Sequence, residues 1–156
     1  MVAATLIDAF LQHGIEPLLV ETDTANPDVF KSYGERIQCA ALSLDEADGW
    51  IQLINTVDQA RGVPVIVNTA ARSGSGVARY GATLKSTLGE LGRKLVTLWI
   101  INRQRDSLEL LADFLEAMPV GADHQAHVLR NLYFGAAEKF QLYNGSDIKK
   151  RIEESG

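Results

Sequence analysis

Short runs of branched apolar residues alternate, along the whole chain, with longer stretches whose apolar residues recur at helical spacing. Strands always separated by a helix-length crossover have to run parallel, and a parallel sheet needs helices over its faces. That alternation predicts an α/β protein with a three-layer, mostly parallel sheet and helices on both faces. The predicted strands are Pro17–Val20, Ile37–Leu42, Val63–Val67, Leu95–Ile101 and Ala126–Leu129. Val63–Val67 is continuously apolar and rich in β-branched residues, which predicts burial on both faces. Phe140–Tyr143 reads as a short edge strand.

The helix signals are equally regular. Val2–His13 carries an apolar stripe and ends at Gly14, the residue best suited to close a helix. Val29–Tyr33 predicts a single helical turn. Ser43 with Glu46 three residues on has the form of a capping box for a helix through Trp50, Leu53, Ile54 and Val57. A long helix passes through Tyr80, Leu84, Leu88 and Leu91, and Asp106 or Ser107 is placed to cap Leu108–Met118. Ser146 opens a last, highly charged helix carrying Lys149, Lys150 and Arg151. With no linker, internal repeat or low-complexity tract in 156 residues, the reading is one domain, 1–156.

Composition narrows the function. Fifteen basic against 20 acidic residues give a formal charge of −5, which argues against a general phosphate-backbone binder. DNA contact is therefore not supported by net charge, although a local basic patch stays open. Cys39 is the only cysteine, so an internal disulfide and a cysteine zinc cluster are both excluded. It is expected to be a buried structural thiol. No apolar run approaches the ~20 residues that span a bilayer, and the first residues lack the basic region of a secretory signal. A cytoplasmic location without membrane contact is expected. His13, His124 and His127 lie on unrelated elements without metal-ligand spacing, so no metal site is predicted.

In an open parallel sheet, ligands bind outside the carboxyl ends of the strands. The polar tips there are Glu21-Thr22-Asp23, Asn68-Thr69, Asn102-Arg103 and Asn131. Asp23 has the chemistry to orient or polarise a water beside a transferred phosphoryl group. It equally suits an Asx-turn opening the Asn26-Pro27 bend. Asn68 can accept a hydrogen bond from a metal-bound water but adds no negative charge. Arg72-Ser73-Gly74-Ser75-Gly76 is a small-residue loop suited to a mobile switch. Neither it nor any other segment matches the spaced phosphate loop G-x-x-x-x-G-K-[ST].

The run Val2 to Asp23 resembles the stretch that follows the phosphate loop in ParA/MinD-type ATPases, the deviant Walker A group of P-loop NTPases. Glu21-Thr22-Asp23 matches the acidic-x-acidic tip of that family's next strand. More narrowly, the chain is similar to the plasmid mobilisation and conjugal-transfer branch, the MobD- and TraL-like proteins. The segments that carry this are Leu18 to Val29, Asp45 to Trp50, Trp99 to Ser107 and Arg130 to Gly135.

The resemblance implies a P-loop NTPase-like domain whose first strand and phosphate loop are missing, truncated at the N-terminus and also at the C-terminus. It implies Asp23 as the carboxylate that positions the attacking water and Glu21 as its companion. Asn68, at the Walker B position, together with Thr69 and Arg72 would lie near the phosphates, and Asn131 would contact the base. ATP and Mg²⁺ are the cofactors of the intact family, which dimerises around nucleotide, and its partners are mobilisation or partition proteins. Without loop N–H groups, lysine and hydroxyl, the chain forfeits contacts worth roughly 1.5–3 kcal/mol each. It is expected to bind no cofactor and not to hydrolyse ATP. The alternatives are a non-catalytic α/β binding module in a DNA-transfer or partition complex, and a flavodoxin-like domain.

Overall fold

In a computed structural model that describes residues 2–70 and 73–154, the chain forms two compact units, Met1–Gly76 and Val77–Gly156. The first contains α1 (Val2–Gln12), β1 (Leu18–Glu21), α2 (Asp28–Tyr33), β2 (Cys39–Ala41), α3 (Ala47–Gln59) and β3 (Val65–Asn68). A helix, α4 (Gly74–Glu90), carries the chain from the first unit into the second. The second continues with β4 (Leu95–Ile101), α5 (Arg105–Ala117), β5 (His124–Arg130), α6 (Gln141–Asn144) and α7 (Asp147–Glu154), with two 3₁₀ turns after β5.

Among the described residues every pairing between strands is parallel, as the alternating pattern requires, and a single antiparallel bridge joins Gly121 to His124 at the start of β5. The strands nevertheless fall into a three-stranded sheet, β2-β1-β3, and a two-stranded sheet, β4-β5, where the pattern predicts one. Among the described residues no strand pairs with the second edge of β3 or of β4. In the first sheet Glu21 is in register with Asn68 and Ala41, so three strand ends meet at one level.

In the first unit, Ala3 and Ile7 of α1 pack with Leu19, Ile66, Val29, Tyr33 and Ile37. Each large buried side chain of this kind is worth roughly 1.5–3 kcal/mol of transfer free energy. Tyr33 satisfies its hydroxyl on the Ala4 carbonyl at 3.2 Å. The α1 C-terminus is closed as predicted. Gly14, at φ +71°, donates to the Leu11 carbonyl while Ile15 donates to that of Phe10, the paired bonds of a Schellman cap.

In the second unit one face of the β4-β5 sheet is covered. Leu111 and Leu115 of α5 and Ile152 of α7 close over Ala126, with Trp99 and Val128 beside them. Ile101, Phe140 and Tyr143 form a neighbouring cluster. The other face is open: Val96 and Ile100 are 53% and 51% exposed. Helices on both faces are therefore not found for this pair of strands. Val67 in β3 is also exposed, so the burial predicted for Val63–Val67 on both faces is corrected.

Four local expectations are corrected as well. Ser43 does not cap α3. Its hydroxyl bonds Asp45, and the helix starts after Glu46, which stands at the N-cap without a side-chain bond. Asp106 and Ser107 lie inside α5, whose N-cap is Gln104. Phe140–Tyr143 is not a strand. Asn144 donates back to the Phe140 carbonyl, and burial of Phe140 and Tyr143 favours a helical turn over an edge ladder. Cys39 is half-buried, with its thiol donating to the Ile37 carbonyl at 3.5 Å. Ser146 does cap α7, accepting from the Lys149 backbone N–H at 3.2 Å.

Candidate functional site at the β1 and β3 strand ends

β1 is buried along its whole length and ends in a carboxylate that is also fully buried, Glu21. A buried charge is tolerated only where hydrogen bonds replace its lost water. Here Asn68 donates its side-chain amide to Glu21 Oε1 at 2.9 Å, and the Asp23 backbone N–H donates to the same oxygen at 3.0 Å. The second oxygen, Oε2, is buried and has no hydrogen-bond partner among the described residues. Its charge also acts on Cys39. Burial first, and Glu21 second, push the Cys39 thiol pKa above its usual value.

Thr22 knits the two strand ends together. Its backbone N–H and its hydroxyl both donate to the Asn68 carbonyl, at 2.9 and 3.0 Å, and the hydroxyl accepts from the Ala70 N–H at 3.3 Å. Asp23 is half-buried, and its Oδ1 accepts from the Asn26 N–H at 3.1 Å. That bond reaches three residues on, where an Asx-turn spans two, so the expected Asx-turn is corrected to a side-chain bond that closes the bend leading into Pro27. Asp23 can present only its remaining carboxylate capacity outward.

Glu21, Asp23 and Asn68 are thus brought together at one strand end, and Thr69 follows them on the surface. Arg72 lies outside the described residues. The rest of its loop is short, since α4 already begins at Gly74, and Ser73 bonds the Ala70 carbonyl at 2.8 Å. Asn131 belongs to the second unit and is exposed. Its side-chain oxygen accepts from the Tyr133 N–H at 3.1 Å and caps the 3₁₀ turn Leu132–Phe134. Among the described residues no group of three His, Cys, Asp or Glu could hold a metal ion.

Two features had no forecast from the sequence. His124 is completely buried, with Nε2 2.9 Å from the Thr97 hydroxyl and Nδ1 3.3 Å from the Pro119 carbonyl. A carbonyl only accepts, so Nδ1 carries the proton and Nε2 accepts from Thr97. The second is the Leu132-Tyr133-Phe134 turn, in which Tyr133 is 89% exposed. An apolar tripeptide framed by Asn131 and Gly135, directly after a strand, was the signal for it.

A parallel α/β protein with a polar site built at the carboxyl end of its central strand is the class that this geometry defines. No family model matches the sequence, and no solved structure matches it. The chain is 52% identical over 156 residues to Protein MobD of Acidithiobacillus ferrooxidans, a match covering 100% of this chain and 67% of that relative. The chain belongs to the MobD family. No helix among the described residues is long and apolar enough to cross a membrane.

Proposed function

We propose that this chain acts in plasmid mobilisation and that its Glu21–Asn68 strand end derives from the nucleotide site of a ParA/MinD-type ATPase. The likeness to Protein MobD supports the first part. The observation that carries the second is Glu21: a fully buried carboxylate, held on one oxygen and orphaned on the other, where an open α/β sheet binds its ligands. A fold that needed only a polar strand end would have exposed it.

In this reading Glu21 is a positioning residue, because both donors on its Oε1 set the geometry of Asn68 and of the Asp23 loop. Asp23 is the group left to orient a water, Asn68 and Thr69 would serve the phosphate side, and the family resemblance assigns Arg72 the same role. The family resemblance alone assigns Asn131 to the base. The intact family member would pair as a homodimer around ATP and Mg²⁺ in the cytoplasm. The 156 residues contain no G-x-x-x-x-G-K-[ST] run, so they lack the phosphate cradle and its lysine. The chain by itself is expected to release no phosphate from ATP.

Two measurements test this. Transfer frequency of the host plasmid should fall on deletion of the gene, return with the wild-type copy, and fail to return with Glu21→Ala. Full restoration by Glu21→Ala at normal protein level would count against the strand end as the working site. Phosphate release by the purified chain that disappears in Asp23→Asn would overturn the non-hydrolytic expectation. The second reading, a non-catalytic binding module, is favoured by the exposed side chains of Leu132 and Tyr133. It predicts a monodisperse chain whose melting temperature ignores Mg-ATP.

A further inference from the structure

At the end of β5 the chain makes a rigid apolar projection. Leu132, Tyr133 and Phe134 are 62%, 89% and 43% exposed, values that core-forming residues do not ordinarily show. The turn is nonetheless tied down at both ends. Asn131 accepts from the Tyr133 N–H, Phe134 donates to the Asn131 carbonyl, and Gly135 donates to that of Leu132. Gly135 sits at φ +122°, a conformation open to glycine and strained for other residues. The two rings meet edge to face, with centroids 5.3 Å apart and planes at 88°.

Cations surround this projection. Arg103 donates to the Phe134 carbonyl at 3.3 Å, and Arg130 immediately precedes Asn131 and donates to Asn144 Oδ1 at 3.1 Å. The Lys139 stem runs so close to Gly135 that a Cβ there would meet its Cδ at 2.9 Å. Among the described residues none of the three forms an ion pair, whereas Lys149, Lys150 and Arg105 elsewhere in this unit each have a carboxylate partner. In a chain of net charge −5, three uncompensated cations around exposed aromatic rings are a local reversal of sign. Of the carboxylates, Glu138 is the one within the same segment.

We propose that the Arg103, Arg130 and Lys139 cations and the Tyr133-Phe134 rings form a binding surface for single-stranded nucleic acid. Ring faces accept unstacked bases of any sequence, and the cations lie beside them to meet phosphodiesters. Duplex DNA hides its base faces, so it can use only the cations. The surface does not depend on Glu21 or Asp23, and its test is separate from that of the strand-end site.

The experiment is fluorescence anisotropy of a labelled oligothymidylate of about 20 nucleotides, titrated with the full chain at roughly 50–200 mM NaCl. Saturable binding is expected, with log K falling against log salt at a slope of about −2 for three phosphate contacts. Tyr133→Ala should weaken binding about tenfold or more and Tyr133→Phe should retain it, both with unchanged melting temperature. The double change Arg103→Gln with Arg130→Gln should flatten the slope to about −0.7. The proposal is overturned by absence of binding at the lowest salt, by Tyr133→Ala binding like the wild type, or by a duplex binding equally well. Displacement of the oligonucleotide by millimolar ATP would also overturn it, assigning the rings to a mononucleotide instead.

Discussion

Asn68 and Glu21 are register partners on adjacent parallel strands, and the Asn68 amide donates to the Glu21 carboxylate at 2.9 Å. An asparagine at the end of β3 therefore does something an aspartate could not: it stabilises a buried negative charge one strand away. Asn68→Leu removes that donor and should cost on the order of 2 kcal/mol. Asn68→Asp should cost more at neutral pH and recover on acidification, since it sets two carboxylates against each other. Urea denaturation at about pH 7.5 and about pH 5 measures both. Equal stability of Asn68→Asp and wild type at the higher pH would show that the Glu21 charge is not held by this bond.

Gly49 lies on the buried side of α3, where a Cβ would stand 1.6 Å from the Ser43 carbonyl oxygen. Backbone must move to admit one methyl group, so Gly49→Ala should lower stability by several kcal/mol or abolish folding. Gly89, near the end of α4, is the control, because a Cβ added there would have nothing within 4 Å of it. Gly89→Ala should raise stability by up to about 1 kcal/mol. Thermal unfolding followed by circular dichroism separates the two.

His124 gives a pH dependence with a definite sign. Burial, above all, lowers its pKa below 6.5, the Pro119 carbonyl opposes this, and the Lys85 charge adds to it. The Phe114 ring, 6.0 Å away, offers a proton no acceptor. The unfolded chain then binds the proton more readily than the folded one. The stability that His124 contributes is complete above its unfolded pKa of 6.5 and is lost as pH falls from there through the depressed folded pKa. Melting temperatures of wild type and His124→Phe, followed from about pH 7.5 to about pH 5, should converge on acidification. Parallel curves would mean that His124 does not titrate differently on folding.

The Cys39 thiol, raised by burial and by Glu21, should react slowly in the native state. Its rate with a disulfide reagent at about pH 8 should lie well below that of the urea-unfolded chain. Glu21→Gln removes the neighbouring charge and should speed the native reaction. A native rate matching the unfolded one would place the thiol in open water.

The parallel strands and most helices are legible in the sequence because period and turn chemistry agree there. Leu95–Ile101 has the bounds its apolar run predicts, and Gly14 and Ser146 end and begin helices as their chemistry predicts. Ser43-x-x-Glu46 misleads because the Ser43 hydroxyl finds a nearer partner in Asp45. Phe140–Tyr143 misleads because four apolar and polar residues fit a strand or a helical turn equally, and only tertiary burial decides. At the strand end, Glu21, Asp23 and Asn68 are nameable from position. The Asn68–Glu21 bond is not, since it depends on register across 47 residues. Nor is the open face of β4, because the apolar runs that predict a strand do not say how many of its sides are covered.

That open face has a practical consequence at the bench. With Val96 and Ile100 bare, the native chain offers a landing place to environment-sensitive dyes such as anilinonaphthalene sulfonate. Dye fluorescence would start high in the folded sample and register melting as a small change or even a decline. Trp99, on the covered side of the same strand, supplies an intrinsic optical signal free of that artefact.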